Sequence, residues 1–407
     1  MTLLRAAWVV PVDQRPLPDG WVAVERGRIV AVGNGPPPGN GTGPTRDLGR
    51  VALLPGLVNA HVHLELSWLR NRVPPAAAFT SWVRQLIVAR GRGPERTDDP
   101  AVIDAATVAA REARETGTSA VGDISNSLAS VAPVAVSGMR GLVFHELLGF
   151  KDTNGELVAR TQEARTAAGR VDQRVRVSVA PHAPYSVSPA LFQAIRAEVS
   201  RSAVPFTSVH VGESVEELEL LANGTGEWAQ MLRWIGAWRD DWQAPGTGPV
   251  EYLERLGVID ARTMVVHGVQ LSDESLERVR ALGATLVTCP RSNQWVGVGV
   301  PPVERFYLAG VPVAVGTDSL ASVDDLNLFS ELKTMRWLAP GVPARRLIES
   351  ATLVGARALG LERELGSITP GKLAEVVAVS LPDHLEDVEE YLVSGVDVGQ
   401  VSWAHQA

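Results

Sequence analysis

From residue 51 to about residue 365, short apolar runs alternate with longer stretches in which apolar residues recur every three or four positions. An apolar run of roughly four to eight residues bounded by turn residues reads as a buried strand, and the longer spacing reads as a helix with one face on a core. The strand runs are Val51 to Val58, Thr118 to Ile124, Gly141 to His145, Val175 to Ala180, Phe206 to His210, Thr263 to His267, Ala284 to Thr288 and Val311 to Gly316. Between them lie helical stretches such as Val102 to Glu115, Pro189 to Ser200 with Leu191, Ile195 and Val199 on one face, and Asp273 to Leu282 capped by Ser272. Eight strands alternating with helices predict an α/β chain closed into a (β/α)8 TIM barrel, whose chemistry sits at the C-terminal ends of the strands.

The two ends of the chain have a different texture. Leu3 to Val10, Trp21 to Glu25 and Arg28 to Val32 read as strands, with a hairpin turn over Glu25-Arg26-Gly27-Arg28 and a Gly- and Pro-rich loop from Asn34 through Pro44. Leu326 to Trp337 and Ala344 to Leu359 read as helices, and the turn Thr369-Pro370-Gly371-Lys372 leads to short strands at Leu373 to Val379, Tyr391 to Val393 and Gly399 to Trp403. Residues 1–50 and 366–407 are therefore expected to pair into one small β-sandwich beside a barrel of residues 51–365.

Composition narrows the class. The chain has 407 residues, 45% of them hydrophobic and 21% charged, which is the balance of a soluble globular protein. A net charge of −8 argues against a nucleic-acid or anionic-membrane partner. No uncharged run approaches the roughly 18 residues needed to span a bilayer, and the N-terminus lacks the pattern of a signal peptide. The single cysteine, Cys289, cannot form an internal disulfide and fits a reducing compartment. A cytoplasmic protein is expected, with a homodimer as the default assembly.

Six of the eight histidines, His61, His63, His145, His182, His210 and His267, fall at the ends of predicted strands, whereas His384 and His405 read as surface residues. His61 and His63 stand two apart on a strand, so both imidazoles leave one face, which suits two ligands on one metal. A pair of half-buried histidines bonded to backbone carbonyls would give the same spacing. His210 is followed by Glu213, either an acid/base group beside the same centre or a solvated first-turn helix residue. Asp318 ends an apolar strand and is either a ligand or an N-cap for the next helix. Together His61, His63, His210 and Asp318 make a set of three nitrogens and one oxygen for one divalent metal, Zn2+ or Fe2+, with room for a water.

These residues lie in wider motifs. The chain resembles the amidohydrolase superfamily over essentially its full length, on Pro55-Gly56-Leu57-Val58-Asn59-Ala60-His61-Val62-His63, His210 with Glu213, Val265-Val266-His267-Gly268, Gly316-Thr317-Asp318-Ser319 and Gly366-Ser367-Ile368-Thr369-Pro370-Gly371-Lys372. Binuclear members carry a carbamylated lysine on the fourth strand; Val175 to His182 has none, so the resemblance implies the mononuclear branch of nucleobase and nucleoside deaminases and chlorohydrolases. It implies that Asp318 takes a proton from the attacking water, that Glu213 protonates a ring nitrogen and helps ammonia leave, and that His267 orients the water.

A narrower resemblance, to the aminodeoxyfutalosine deaminases of the futalosine route to menaquinone, rests on Gly122-Asp123-Ile124-Ser125-Asn126, Phe144-His145-Glu146-Leu147-Leu148-Gly149-Phe150, Ala180-Pro181-His182-Ala183-Pro184-Tyr185-Ser186 and Cys289-Pro290-Arg291-Ser292-Asn293. It implies a nucleoside substrate. His182 resembles a family residue that approaches the nucleoside, with a structural histidine as the alternative. Glu65 and Glu146 either bond ribose hydroxyls or cap helices. The substrate's aryl carboxylate needs a cation, for which Arg90 and Arg291 are candidates, since guanidinium binds carboxylate bidentately. Deaminases of S-adenosylhomocysteine, adenosine or guanine and triazine-type chlorohydrolases share several of these motifs. A non-catalytic scaffold barrel would have lost ligands that are all present here. The stretch Val215 to Tyr252, with Trp228, Trp234, Trp238 and Trp242, reads either as core packing or as part of a lid over the pocket.

Overall fold

In the computed structural model, which describes residues 1–36, 43–93 and 99–405, the apolar run Val51 to Val58 is broken at Gly56 into two strands of different sheets. The part of the expected Asn34 to Pro44 loop that falls on residues 37–42 lies outside the described residues. Before the break come β1 (Thr2–Val9), β2 (Leu17–Glu25), β3 (Arg28–Asn34), β4 (Thr45–Asp47) and β5 (Val51–Pro55). The barrel strands follow: β6 (Leu57–Val62), β7 (Thr118–Ser125), β8 (Arg140–Leu147), β9 (Val175–Pro181), β10 (Thr207–Val211), β11 (Thr263–His267), β12 (Thr285–Thr288) and β13 (Val313–Val315). Near the C-terminus, β14 (Val376–Ser380) and β15 (Val401–Trp403) return to the first sheet.

That sheet runs β15-β14-β5-β1-β2-β3, with β4 on β1. Within it β5 pairs antiparallel with β14, from Val51 against Ser380 to Pro55 against Val376, and parallel with β1 at Trp8 and Val9. The barrel thus begins at Leu57, not at residue 51. The reason is that β5 is buried on both sides. Leu53 faces the sheet's own core with Leu4, Val22 and Ile29, while Ala52 and Leu54 face the barrel's outer core with Leu57 and Val377. A strand buried on two faces carries no polar alternation to mark where one sheet ends. The terminal strands form one hydrogen-bonded sheet that curls on itself, with the Ile29 N–H donating to the Lys372 carbonyl (2.9 Å) and the Gly371 N–H to the Ile29 carbonyl (2.8 Å).

Tyr391 to Val393, expected as a strand, belongs to the helix Val388–Val393. The Asp387 side chain accepts the N–H groups of Glu389 and Glu390 and so starts that helix as its cap. The expected helices elsewhere are present: Pro100–Glu115, Pro189–Arg201 with Ser188 as cap, Asp273–Ala281 with Ser272 as cap, and Leu328–Leu338. Among the described residues no helix is long and apolar enough to cross a membrane.

The barrel strands form two parallel four-stranded runs, β6 to β9 and β10 to β13. At one seam the His210 N–H donates to the His182 carbonyl (2.9 Å), and at the other the Asp318 N–H donates to the His61 carbonyl (3.0 Å). Gly316 permits the second seam, because a Cβ there would lie 2.6 Å from the His61 carbonyl oxygen and 2.7 Å from the His61 Cβ. Backbone cannot yield as a flexible side chain does, so a methyl group must push the strands apart. Gly316→Ala is therefore expected to lower stability by about 1–3 kcal/mol and to reduce metal content. Urea unfolding and metal analysis would show it; unchanged values in both would mean that the seam tolerates the methyl group.

Candidate active site

The strand ends bring the predicted residues to one place. Within β6, Asn59 is tied to the segment just after β13 by two hydrogen bonds, its Nδ2 donating to Thr317 Oγ1 (2.8 Å) and its Oδ1 accepting the Thr317 N–H (3.2 Å). His61, fully buried, follows with its ring centroid 4.9 Å from those of both His63 and His210, and the His210 and His267 rings are 5.3 Å apart. Asp318 Oδ1 lies 3.5 Å from His63 Nε2 and 3.9 Å from His61 Nε2. Ligand atoms of His61, His63 and Asp318 fall within 4.8 Å of one another, as do those of His61, His210 and His267.

The donor set fits a divalent cation. Both ring nitrogens of His61 are buried without a hydrogen-bond partner, a cost of roughly 1–3 kcal/mol for each unsatisfied polar group that a bound cation offsets at one of them. His210 Nδ1–H donates to the His182 carbonyl (2.8 Å), which fixes the tautomer and leaves Nε2 as the lone-pair donor. Burial and neighbouring imidazoles hold His61 well below the usual histidine range, and burial holds His63 down to about 3 and His210 to about 4. All three are therefore neutral at pH 7, the form that ligates metal. The other oxygen of Asp318, Oδ2, accepts the Ser292 hydroxyl (2.6 Å). Asp318 and His267 both adopt left-handed backbone (φ 61° and 74°), a strain that concentrates where side-chain direction matters.

Glu213 and His267 meet on the other side. Glu213 Oε1 is 3.5 Å from His267 Nε2, and His267 Nδ1 is hydrogen-bonded to Asn293 Nδ2 (3.0 Å). Burial, with Asp318 and Glu217 nearby, pushes the Glu213 carboxyl well above the usual range and favours its protonated form. Glu146 accepts from Asn126 Nδ2 (2.8 Å) and lies 3.5 Å from His210 Nδ1, while His182 Nδ1 is bonded to the Ser186 hydroxyl (2.6 Å). Burial raises Glu146 and lowers His182 to about 4.

Above this polar floor opens a cavity of ≈ 210 Å³. Leu66, Phe79, Trp82, Leu86 and Ile87 form one wall and Trp228, Met231 and Leu232 the other, with Arg90 also lining it. Helices Phe79–Arg90 and Glu227–Trp234 supply most of these side chains. The tryptophan segment thus divides. Trp228 lines the cavity and stacks on Tyr185 (3.9 Å), Trp238 and Trp242 pack on Phe150, and Trp234 is largely exposed.

Two predicted substrate contacts lie elsewhere. Glu65 is consumed by the loop after β7, its Oε1 accepting the Asn126 N–H (2.8 Å) and its Oε2 the hydroxyls of Ser125 (2.6 Å) and Ser127 (2.8 Å). Arg291 Nε donates to the fully buried Glu331 (2.7 Å) and its Nη2 to Asp325 (3.0 Å), so this guanidinium neutralises a buried carboxylate outside the cavity. His145, although at a strand end, donates its Nε2–H to the Asn126 carbonyl (3.1 Å) and does not line the cavity. Asn59, Ser292, Asn293 and Glu217 were not singled out from sequence as working residues. The signal for Glu217 was present in Ser214-Val215-Glu216-Glu217, a Ser-x-x-Glu pattern at a helix start.

The chain matches the amidohydrolase family model over residues 52–401. It is 29% identical to a 5-methylthioadenosine/S-adenosylhomocysteine deaminase of Moorella thermoacetica, over 98% of this chain and 92% of that protein. Among solved structures it is similar to an adenosine deaminase of Xanthomonas campestris with bound zinc, at 30% identity and TM-score 0.82, covering 99% of this chain and 91% of the other. It is also similar to the aminofutalosine deaminase of Helicobacter pylori in complex with methylthio-coformycin, at 25% identity and TM-score 0.83, covering 99% and 100%.

Metal removal and ligand variants separate the two overlapping histidine sets. Purified protein is expected to hold one equivalent of divalent metal and to lose thermal stability on chelation, since a ligand that binds only the folded state stabilises it. His61→Asn, His63→Asn and His210→Asn should bind little metal, whereas His145→Asn and His267→Asn should retain it. Arg291→Ala should lower stability by about 3–5 kcal/mol, the cost of orphaning a buried carboxylate, and leave KM unchanged. A raised KM would return Arg291 to the substrate.

Proposed function

Because this chain belongs to the amidohydrolase family, we propose that it is a metal-dependent hydrolytic deaminase of the 6-amino group of an adenine nucleoside, with 6-amino-6-deoxyfutalosine as substrate. The observation that carries this reading is the pairing of two carboxyls, the buried Glu213 and the half-buried Asp318, in one cavity with apolar walls. Deamination of an aromatic amidine carbon needs one group that accepts a proton from water and one that donates a proton to the ring. Two carboxyls in different surroundings can hold those opposite protonation states.

His61, His63, His210 and Asp318 would hold a divalent metal, which would supply the Lewis acidity that brings the pKa of water toward neutrality. Asp318 Oδ1 accepts a proton from the attacking water, while Ser292 keeps Oδ2 in place. Protonated Glu213 donates to the ring nitrogen next to the carbon under attack; the ionised Glu213 then takes the proton of the new C–OH as the C–N bond breaks, and the proton held by Asp318 passes to the departing amine. The products are the 6-oxo purine and ammonia, and both carboxyls return to their starting states. With Asn293 bonded at Nδ1, neutral His267 directs Nε2 toward Glu213 and the reacting water. Exclusion of solvent by Trp82, Trp228 and their neighbours favours the neutral acid and the neutral imidazoles on which these transfers depend.

Glu146 and His182 face the cavity where ribose hydroxyls would lie. Its apolar walls suit a bulky 5′ substituent, and Arg90 offers a cation to an aryl carboxylate on it. The likeness to the methylthioadenosine and S-adenosylhomocysteine deaminase favours a second reading, in which a thioether substituent occupies the same walls.

Ammonia release from a panel of aminodeoxyfutalosine, methylthioadenosine, S-adenosylhomocysteine, adenosine and guanine tests the proposal. Aminodeoxyfutalosine is expected to have the highest kcat/KM, and Glu213→Gln and Asp318→Asn to lose at least about a hundredfold in kcat, within the range for general acid–base groups. Arg90→Ala should raise KM roughly tenfold for the carboxylate substrate, the loss of one charged hydrogen bond, and leave KM for methylthioadenosine unchanged. Preference for a thioether nucleoside would select the second reading. No ammonia from any nucleoside by metal-loaded protein would reject deamination.

A further inference from the structure

The turn that carries Glu213 is held from behind by a second carboxylate. Glu217 is fully buried and does not line the cavity. Its Oε1 accepts the Gly212 N–H and its Oε2 the Glu213 N–H, both at 3.0 Å. In the usual capping box the third helical residue reaches back to the N–H of the cap itself. Here Ser214 caps the helix Val215–Asn223 by accepting the Glu217 N–H (3.3 Å), but the Glu217 side chain passes the cap and takes the two N–H groups preceding it. Gly212 is left-handed (φ 61°), and its carbonyl accepts the Gln270 N–H (2.7 Å), so the turn is fixed toward the loop after His267 as well.

We propose that Glu217 is a positioning residue for Glu213, fixing the Gly212–Glu213 backbone so that the Glu213 carboxyl stands against His267. Two N–H donors, one on each oxygen of a single buried carboxyl, leave that peptide little rotational freedom. The burial of Glu217 supports this role, because a carboxyl placed there for helix capping alone could have stayed in solvent. The inference rests on the proton-transfer role of Glu213 given above. Misplacement by about 1 Å can cost on the order of a hundredfold in rate, so a hold at the backbone has kinetic weight without touching substrate.

Glu217→Gln keeps the shape but replaces one acceptor by a donor. Amide hydrogen exchange on metal-loaded full-length protein should become roughly tenfold faster or more at Gly212 and Glu213, beyond any change in the core strands. The variant should lose about tenfold or more in kcat, with KM within about twofold and metal stoichiometry unchanged. Adding Glu217→Gln to Glu213→Gln should cost nothing further, the non-additivity of residues acting as a unit. Ser214→Ala, which removes only the helix cap, should leave kcat within about threefold. Unchanged exchange at both amides, additive losses in the double variant, or an equal kcat loss in Ser214→Ala would overturn the proposal. If Glu217→Gln does not fold, Glu217→Asp, too short to reach both N–H groups, takes its place with the same expectations. Absence of ammonia release by wild type, with the exchange difference intact, would reject the deaminase reading while the backbone hold stands.

Discussion

The hydrogen bond from the Asp318 N–H to the His61 carbonyl closes the barrel and at the same time sets the distance between two candidate ligands. At the opposite seam His210 does the same, its N–H and its Nδ1 both engaging the His182 carbonyl. The candidate metal ligands are therefore part of the closure of the sheet, not ornaments mounted on a finished barrel. Asn59 and Thr317 reinforce the first seam side chain to side chain, and Gly316 provides the space for it. Small displacements of either strand would be transmitted directly to the donor atoms.

Burial then decides the protonation states. Imidazoles held neutral and carboxyls held toward their acid form are the response of titratable groups deprived of water. On this floor the same desolvation acts in two ways: it keeps His61 in its neutral form and favours the protonated form of Glu213. A divalent cation bound beside Asp318 would draw this half-buried carboxyl the opposite way and so separate its role from that of Glu213.

Much of this was legible in the sequence. Strand ends can be read from apolar runs, and histidines, Glu213 and Asp318 at those ends converge for topological reasons. The rest was hidden for particular physical reasons. The run Val51 to Val58 has no polar alternation because both faces of β5 are buried, so its division at Gly56 could not be seen. Glu65 and Glu146 are the same residue type near strand ends, yet one binds a neighbouring loop and the other faces the cavity. Arg90 and Arg291 differ because Glu331, distant in sequence, claims Arg291. Local pattern gives residue type and direction; it does not give the partner.

The threading of the terminal sheet has a consequence for biogenesis. The strand bearing His61 and His63 emerges early from the ribosome, yet β13, which delivers Asp318, and β14, which pairs with β5 just before it, are translated near the end of the chain. Pairings so remote in sequence form slowly and late. A nascent chain would expose His61 and His63 well before Asp318 is made, so the full candidate donor set exists only in the completed barrel.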